Sequence, residues 1–502
     1  MRPATRTAAE ALAPVRSGQR VFVGSGAAEP QHLVEALCAR AGHLSDVEVV
    51  HLLTLGRTPY ADKALAGGLR HNALFIGANV RGAVGAGLAD YTPCFLSEVP
   101  GMFRSGRMPL DAALVMVSPP RRGRVSLGVA VDVVKAASQA APYVVAQVNP
   151  RMPWTRGEST LPLSDFDALV ERSEELCELP AGEPSAAALW IGRYVASLVD
   201  DGSTLQLGIG AIPDAVLARL GGKKDLGLHT EMFSDGALAL VEAGVINNRR
   251  KTVDPGVCVT SFCLGTRRLY DAVDDDPRFA FRPTERVNDP FVIAAQDRMV
   301  AVNSALAVDL TGQVAADSLG HAFYSGVGGQ VDFMRGASRS KGGRAVIALP
   351  STAKGGAVSR ISLALDPGTG VVTTRADVDF VVTEYGIAAL KGRTIRERAV
   401  ALIGVAHPSF RAELAAQAAK AGLLDAGRVL PQGERYEVQW EARREFKGER
   451  LFIRPLKPSD ERRLKELFYS QSPETTWLRF GVPLKALGEK QFQELVAIDS
   501  RQ

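Results

Sequence analysis

The same order of elements occurs twice in this 502-residue chain. In each copy an apolar run leads into a Gly-x-Gly-Ala turn, a proline follows nearby, and an amphipathic helical pattern comes next. The first copy spans Val21 to Leu37, and the second spans Thr204 to Leu220. Strands that alternate with helices are typical of βαβ units and predict a parallel sheet. The sequence therefore predicts an α/β fold with two related domains, although insertions make the spacing of the two copies irregular.

Further strand-like runs extend the comparison of the two copies. We match the run Val49–Leu55 with Leu226–Met232, and the run Asp111–Pro120 with Asp377–Gly386. The segment Ala73–Gly77 is also strand-like. Both matched pairs favour a duplicated sheet rather than two unrelated ones.

Length and composition predict where the domains begin and end. At roughly 150 residues a domain, a chain of this length is expected to hold about three units. A helix predicted from about Pro184 to Val199, with the proline in its first turn, opens the second unit, and charged residues become dense beyond Gly427. The predicted divisions are an N-terminal domain at 1–183, a second domain at 184–430, and a linker with a short segment at 431–502.

Charge and composition exclude several classes of protein. A net charge of +4 on this length is too small to indicate nucleic-acid binding. No apolar run reaches the ~18 residues of a membrane span, and the N-terminus lacks the apolar core of a signal peptide. The five cysteines and seven histidines fit no metal-ligand spacing, so we expect free thiols in a reducing compartment and no metal. These features favour a cytoplasmic enzyme.

Glu231 is the candidate nucleophile. It ends a short apolar run and is followed by small residues and a helical pattern from Ala237 to Val245. A carboxylate at a strand-to-helix junction lies near the ligand crevice of an open α/β sheet. The alternative is an ordinary surface charge, and from the local residues alone that alternative stays open. The nearby His229 is expected to be an ordinary, partly buried histidine.

Three glycine-rich segments are candidate ligand contacts. Gly208-Ile209-Gly210 follows a predicted strand, Gly326-Val327-Gly328-Gly329 is the richest in glycine, and Lys354-Gly355 places a cation beside flexible backbone. Backbone N–H groups in such turns can bind anions, although tight turns without a ligand have the same composition. Neither Gly24-Ser-Gly26 nor Gly208-Ile-Gly210 completes the Gly-x-Gly-x-x-Gly pattern of a dinucleotide site.

Taken in order, these motifs resemble the acetyl-CoA hydrolase/transferase family, which includes 4-hydroxybutyrate CoA-transferases. The resemblance covers about residues 5 to 430. The segments that carry it are Val23–Ala28, Val117–Pro120 with Ser126–Gly128, Gly208–Pro213, His229–Gly236, Asp309–Gln313, Tyr324–Phe333, Ala353–Gly356 and Val382–Gly386. Each motif is weak alone, but their shared order is specific. The resemblance implies two tandem α/β domains of the CoA-transferase type, with parallel-rich sheets and the active site between them.

The resemblance also implies a covalent mechanism and a role for each motif. The catalytic glutamate falls on Glu231, which would form an acyl-glutamyl anhydride and then a glutamyl-CoA thioester. The N–H groups of Ile209 and of Gly328 or Gly329 would stabilise the oxyanions. Contacts to CoA are expected at Gly208, Gly210, Gly326, Lys354 and Gly355. Glu384, at the end of a buried strand, is expected to need a partner and to support the site.

The C-terminal segment is similar to the opening of a GNAT N-acetyltransferase domain. The segments that carry this likeness are Phe452–Leu456, Pro458–Asp460 and Tyr469–Glu474. A strand at Leu451–Pro455, a helix at 460–468 capped by Ser459, and a second helix at Gly488–Ile498 are predicted, so this segment is a short, incomplete α+β unit. Because no acetyl-CoA pyrophosphate motif follows, we expect no acetyltransferase activity from it.

The leading hypothesis is an acyl-CoA:carboxylate CoA-transferase for small acids such as acetate. Its substrates would be acyl-CoA and a carboxylate, with coenzyme A as substrate and no permanently bound cofactor. The family implies a homodimer, and neither nucleic acid nor membrane is an expected partner. An acyl-CoA hydrolase on the same scaffold is one alternative, since water access alone separates the two reactions. A non-catalytic acyl-CoA-binding regulatory protein is an alternative of another class.

Overall fold

Eight parallel strands form the first sheet of the protein. The computed structural model describes residues 3–425, 442–456, 460–482, 486–488, 491–492 and 495. In spatial order the strands are Ala4–Thr5, Ala168–Glu171, Val144–Val148, Ala112–Val117, Arg20–Val23, Val47–His51, Leu69–Ala73 and Ala89–Tyr91. The central strands are runs of Val, Leu and Ala that are buried on both faces, which is typical of parallel sheets covered by helices.

The second sheet has six strands. Their order is Gly227–Leu228, Thr204–Leu207, Met299–Asn303, Arg344–Ala348, Phe380–Thr383 and Gly386–Ala389. The first five are parallel, and the last pairs antiparallel with its neighbour through a tight turn. We call residues 1–183 the N-terminal half and residues 184–430 the C-terminal half.

Helices cover both sheets. In the N-terminal half they are Ala8–Leu12, Gln31–Ala39, Arg81–Gly85, Val99–Arg104 and Val134–Ala140. In the C-terminal half they are Ala186–Ser197, Ala211–Leu217, Asp235–Glu242, Arg267–Ala272, Thr284–Val287, Pro290–Ala294, Gln330–Arg339, Ile395–Val405 and Pro408–Lys420. No helix in the described part of the chain is long and apolar enough to cross a bilayer.

Short strand pairs build the region between the two sheets. Met232–Phe233 pairs in parallel with Phe262–Cys263, and Cys258–Thr260 pairs in parallel with Phe279–Phe281. Arg124–Ser126 forms an antiparallel pair with Thr160–Pro162. Further two- or three-residue strands are Ala307–Asp309, Val314–Ala315, Ser318–Leu319, Ala322–Phe323, Thr352–Ala353, Val358–Ser359 and Ile361–Ser362. These small pairs carry the loops in which most of the conspicuous motifs lie.

The described residues beyond 441 form a separate small group of elements. Ala442–Phe446 and Glu449–Ile453 form an antiparallel hairpin, and the helices Glu461–Ser470 and Pro473–Phe480 follow. The expected strand lies two residues early, and the first expected helix is present. The predicted cap Ser459 lies outside the described residues, as does most of the predicted helix at Gly488–Ile498.

The predicted α/β fold with two parallel-rich sheets is confirmed, but three details are wrong. Asp111–Pro120 does not correspond to Asp377–Gly386, because the strand beside the Gly-x-Gly strand in the second sheet is Met299–Asn303. Of the segment Ala73–Gly77 only Ala73 belongs to a strand, Leu69–Ala73, which ends there. The helix that was expected to hold Pro184 in its first turn begins at Ala186, because Ser185 accepts a hydrogen bond from the Ala188 N–H and caps it.

Two stacked histidines lie inside the N-terminal half. The rings of His51 and His71 are 4.1 Å apart between centroids, and both side chains are fully buried. The Nδ1 atom of His71 donates to the carbonyl oxygen of Val49 at 2.9 Å. Burial lowers the pKa of His71 to about 4 and that of His51 well below its usual range, so both rings are neutral in the fold.

We predict that these histidines make the protein less stable in mild acid. The pKa of His71 is about 6.5 when unfolded and about 4 when folded. The unfolded chain therefore binds more protons between these values, and the free energy of unfolding falls as the pH drops from about 6.5. His71 alone contributes on the order of 3 kcal/mol to this loss.

Urea unfolding of wild type and His71→Gln at a series of pH values tests this expectation. The substitution should reduce the dependence of unfolding free energy on pH, whatever its effect on absolute stability. His43→Gln, at an exposed position, is the matched control. An unchanged dependence in His71→Gln would show that His71 is not held neutral.

Candidate active site

Glu231 lies at the carboxyl edge of the second sheet. It follows the strand Gly227–Leu228 by three residues and precedes the short strand Met232–Phe233. The N–H groups of Ser261 and Phe262 donate to the carbonyl oxygen of Glu231 at 2.9 and 3.0 Å. These two hydrogen bonds from the neighbouring segment fix the main chain at Glu231. The direction in which its side chain leaves the backbone is therefore constrained.

One amide group contacts the Glu231 carboxylate directly. The Nδ2 atom of Asn288 donates to Oε2 of Glu231 at 2.7 Å. Asn288 is fully buried, and its Oδ1 atom has no described hydrogen-bond partner. A buried amide oxygen without a partner is costly, so its presence beside a carboxylate indicates a site that another polar group completes.

Burial dominates the electrostatics of Glu231. Loss of solvent raises the pKa of its carboxyl to about 7, the Asn288 hydrogen bond acts in the opposite direction, and the nearby Asp132 charge adds to the rise. Burial likewise raises the pKa of Asp132 to about 6 and that of Asp332 to about 7. Three carboxyl groups from different parts of the chain are thus poorly solvated in one region. Raised pKa values of this kind are characteristic of reactive sites.

Asp132 connects the N-terminal half to this region. Its Oδ1 atom accepts hydrogen bonds from the Ser25 hydroxyl at 3.1 Å and from the Val134 N–H at 3.2 Å. Its main-chain N–H donates to the Ser261 carbonyl oxygen at 3.2 Å. The first glycine turn, Gly24-Ser25-Gly26, therefore supports Asp132 through its serine.

The glycine-rich loop Gly326–Gly329 meets Glu231 from the other side. A Cβ atom built on Gly329 would overlap both the Glu231 carboxylate and the Asn288 amide, so only glycine fits there. The Val327 N–H is engaged with the Tyr91 hydroxyl at 3.1 Å. Among the described residues, the Gly329 N–H donates to no protein acceptor, whereas Gly328 takes part in a β-bridge with Phe95. The loop therefore offers an unengaged donor, the Gly329 N–H, beside the carboxylate.

The turn Gly208-Ile209-Gly210 begins where the strand Thr204–Leu207 ends. That strand pairs with Gly227–Leu228, and the Thr230 hydroxyl donates to the Leu207 carbonyl oxygen at 3.0 Å, so the turn and Glu231 share one edge of the sheet. A Cβ on Gly208 or Gly210 would meet nothing within 4 Å. Gly210 has a φ of +105°, a backbone conformation that glycine adopts readily and other residues rarely adopt. The turn thus borders open space beside the carboxylate.

Lys354 and Gly355 lie apart from these contacts. They form an exposed 3₁₀ turn, Lys354–Gly356, between the strands Thr352–Ala353 and Val358–Ser359. Within the described residues, Lys354 makes no hydrogen bond or ion pair with Glu231.

Glu384 and His229 have structural partners. The Ser351 N–H and hydroxyl donate to the two carboxylate oxygens of Glu384 at 2.8 and 2.6 Å, which supplies the partner that the buried charge requires. Nε2 of His229 donates to the Val287 carbonyl oxygen at 2.8 Å, and burial lowers the pKa of this histidine to about 4. His229 is therefore a neutral, fully buried ring.

Sequence reasoning missed Asn288, Asp132 and Asp332. Asn288 ends the short helix Thr284–Val287, and the sequence there signals only a turn before Pro290. It lies 57 residues from Glu231, so no local pattern joins the two. Asp332 lies within the motif Tyr324–Phe333, directly after Gln330-Val331. Its place in that motif was the one sequence signal that could have pointed to it. No group of His, Cys, Asp and Glu side chains in the described structure has the arrangement of a metal site.

Comparison with known proteins places these motifs in one family. Residues 4–179 match the acetyl-CoA hydrolase/transferase N-terminal domain, and residues 265–418 match the corresponding C-terminal domain. The chain is 49% identical to the 4-hydroxybutyrate coenzyme A transferase of Clostridium kluyveri, over 81% of this chain and 95% of that protein. It is 46% identical to a succinyl-CoA:acetate/propanoyl-CoA:succinate CoA transferase of Fasciola hepatica, over 80% and 84% of the two chains.

Solved structures agree with this relationship. RipA from Yersinia pestis superposes with a TM-score of 0.79 at 36% identity, covering 84% of this chain and 98% of RipA. The chain belongs to the acetyl-CoA hydrolase/transferase family, and it is an enzyme of the CoA-transferase type.

Proposed function

We propose that this CoA-transferase moves CoA between an acyl-CoA and a small carboxylic acid such as acetate, with Glu231 as the covalent nucleophile. The observation that carries the proposal is the contact of a poorly solvated carboxylate with a buried amide and a glycine loop. The named relatives support it, because one acts on 4-hydroxybutyrate and another on succinyl-CoA, acetate and propanoyl-CoA.

The reaction proceeds in two half-reactions. The Glu231 carboxylate attacks the acyl-CoA carbonyl carbon, and the C–S bond breaks to give an acyl-glutamyl anhydride and CoA thiolate. The thiolate then attacks the glutamyl carbonyl carbon, which releases the acyl group as a carboxylate and leaves a glutamyl-CoA thioester. A second carboxylate reverses these steps and departs as its CoA ester. Each addition creates an oxyanion that needs a positioned donor.

Two backbone segments are proposed to supply those donors. The Ile209 N–H belongs to the turn that borders open space, and the Gly328 and Gly329 N–H groups belong to the loop against Glu231. Val327 is not a candidate, because Tyr91 occupies its N–H. Backbone donors fixed in turns need little reorganisation as charge develops.

We further propose that CoA lies along the remaining glycine residues. Gly208 and Gly210 leave room for it at one edge, Gly326 borders it in the loop, and Lys354 with Gly355 would contact its more distant part. Glu384 would support the site through Ser351. No bound cofactor takes part in these steps, since CoA enters and leaves as part of the substrates.

Wider features of the chain are also proposals. We propose domain divisions at 1–183, 184–430 and 431–502; the first sheet lies within 4–171 and the second within 204–389, which supports the first of these divisions. Free thiols at all five cysteines suit a cytoplasmic location, and the family resemblance favours a homodimer. The hairpin and helix after residue 441 support the GNAT-like interpretation of the C-terminal segment.

An acyl-CoA hydrolase is the second candidate function, because water could intercept either intermediate. Incubation of the protein with acetyl-CoA and propionate distinguishes the two. Transfer yields propionyl-CoA with little free CoA, whereas hydrolysis yields free CoA whether or not propionate is present. We expect propionyl-CoA.

We predict that acyl-CoA labels Glu231. Incubation with acetyl-CoA, reduction with borohydride and mass spectrometry of peptides should find the modification at that residue, because the thioester forms there. Glu231→Gln should lose at least about a thousandfold in turnover, since an amide is a poor nucleophile. Modification at another residue, or a Glu231→Gln variant with wild-type turnover, contradicts the mechanism.

We predict that Gly329→Ala inactivates the enzyme without unfolding it. The added methyl group would overlap the Glu231 carboxylate and displace it from its reactive position, which should lower kcat about a hundredfold or more. Gly222→Ala is the matched control, because its Cβ meets nothing within 4 Å. Steady-state kinetics and thermal melting of both variants test this, and near-normal kcat in Gly329→Ala would disprove the contact.

We predict that Asn288→Ala moves the pH dependence of catalysis. The Asn288 amide lowers the pKa of Glu231 from the value that burial alone would set. Without it, Glu231 ionises at higher pH, so the rise of kcat/KM should move upward from about pH 7, with roughly a tenfold loss at neutral pH. A pH profile of kcat/KM measures the change. Asn247→Ala removes a half-buried amide that donates to Asp225 and not to Glu231, so it serves as control and should keep the wild-type profile.

A further inference from the structure

A segment of the N-terminal half, Tyr91–Ser97, contacts the glycine loop of the C-terminal half. The Val327 N–H donates to the Tyr91 hydroxyl at 3.1 Å. The Leu96 N–H donates to the Gly328 carbonyl oxygen at 3.0 Å, and Phe95 forms a β-bridge with Gly328. Two successive residues of the loop, Val327 and Gly328, are therefore bonded to this segment.

The same segment also holds the helix that follows the loop. Asp332 lies in the first turn of the helix Gln330–Arg339 and is buried. Its two carboxylate oxygens accept hydrogen bonds from Ser97, at 3.1 Å from the main-chain N–H and at 2.9 Å from the hydroxyl. Ser97 thus binds a buried carboxyl group three residues beyond the glycine that touches Glu231.

Phe75 completes the support beneath the loop. A Cβ on Gly326 or Gly328 would lie 2.9 or 3.0 Å from its ring. The loop is therefore packed on the N-terminal half along one side, while on the other side Gly329 is in contact with the Glu231 carboxylate. Its position relative to Glu231 depends on residues of the other half.

We propose that Tyr91 and Ser97 are positioning residues, which act through Val327 and Asp332 to hold the oxyanion-stabilising loop against Glu231. This inference rests on the proposed function, since it assigns a purpose to the loop in that reaction. The loop has glycine at three of four positions, so its own backbone does little to restrict its conformation. The anchors supply the restriction that donor geometry requires.

Charge links the same anchor to the nucleophile. The groups that face Asp332 are Glu231, Glu98 and Cys94, and Asp132 faces Glu231 from the N-terminal half. Burial is the largest cause of the raised pKa of Asp332, and the charges of Glu231 and Glu98 raise it further. The Ser97 hydrogen bonds lower it. Ser97 therefore favours the charged form of a carboxyl that repels the ionised nucleophile.

Two conservative variants test the positioning role. Tyr91→Phe removes one hydrogen bond to the loop, and Ser97→Ala removes one to Asp332. Each should lower kcat and the rate of glutamyl-CoA formation about tenfold to a hundredfold, with the KM for acyl-CoA changed by no more than about twofold. Ser97→Thr keeps the hydroxyl and should restore most of the rate.

Matched controls separate positioning from general stability. Tyr143→Phe removes a hydroxyl that donates to the Ala11 carbonyl oxygen, and Ser105→Ala removes one that donates to the Met102 carbonyl oxygen. Both lie away from the loop and should keep wild-type rates. Melting temperatures of the four variants should agree within a few degrees. Rate losses that simply follow losses in melting temperature would overturn the proposal.

The pH dependence of kcat/KM provides a further test, because a change in packing alone would not shift it. Asp332→Asn removes the charge near Glu231, so Glu231 should ionise more readily and the rise of kcat/KM should begin at lower pH than in wild type. A profile at the wild-type position would overturn this link. If wild type forms no adduct at Glu231, the proposed function fails. If wild type forms it and the Tyr91 and Ser97 variants form it equally fast, only the positioning role fails.

Discussion

The desolvation of one carboxylate is the constraint on which the site depends. A buried charge is costly unless neighbouring dipoles replace water, and at Glu231 the replacement is a single amide from Asn288 together with a close glycine backbone. The result is a carboxyl group with a pKa near neutrality, which is a stronger nucleophile than an exposed carboxylate and is still substantially ionised at neutral pH. The surrounding residues of the fold keep this carboxyl group poorly solvated.

The residues that surround Glu231 come from both halves of the chain. Asp132 reaches Glu231 from the N-terminal half and is itself held by Ser25, while Asp332 belongs to the C-terminal half and is held by Ser97. Duplicated α/β units place the carboxyl edges of their sheets toward a shared crevice, where residues distant in sequence can meet. The site is therefore a property of the pair of sheets, and neither half contains all of its parts.

The sequence predicted the sheets better than the contacts between them. Buried strands such as Ala112–Val117 are continuous apolar runs, so their presence and their parallel pairing followed from composition. The counterpart of that strand was misidentified, because several buried strands of the second sheet are similar apolar runs, and the local pattern does not tell which of them pairs with the Gly-x-Gly strand. Glu231 and the glycine loop were predicted from motifs, and the structure brings the two into contact. Asn288 was not, since a lone amide in a turn carries no sign of a partner 57 residues away.

Transfer and hydrolysis differ only in which nucleophile reaches the intermediate. The position of the glycine loop against Glu231 therefore affects the rates of both reactions. In the proposed mechanism, a loop held by Tyr91 and Ser97 would exclude water from one side of the anhydride, whereas the open space at Gly208 and Gly210 would leave an entry for a thiolate or a carboxylate. Because the loop has little conformational restriction of its own, each anchor that is lost admits more arrangements and more water. Weakening these anchors should therefore increase the fraction of turnovers that end in hydrolysis as it slows transfer, which ties the choice of reaction to contacts between the two halves.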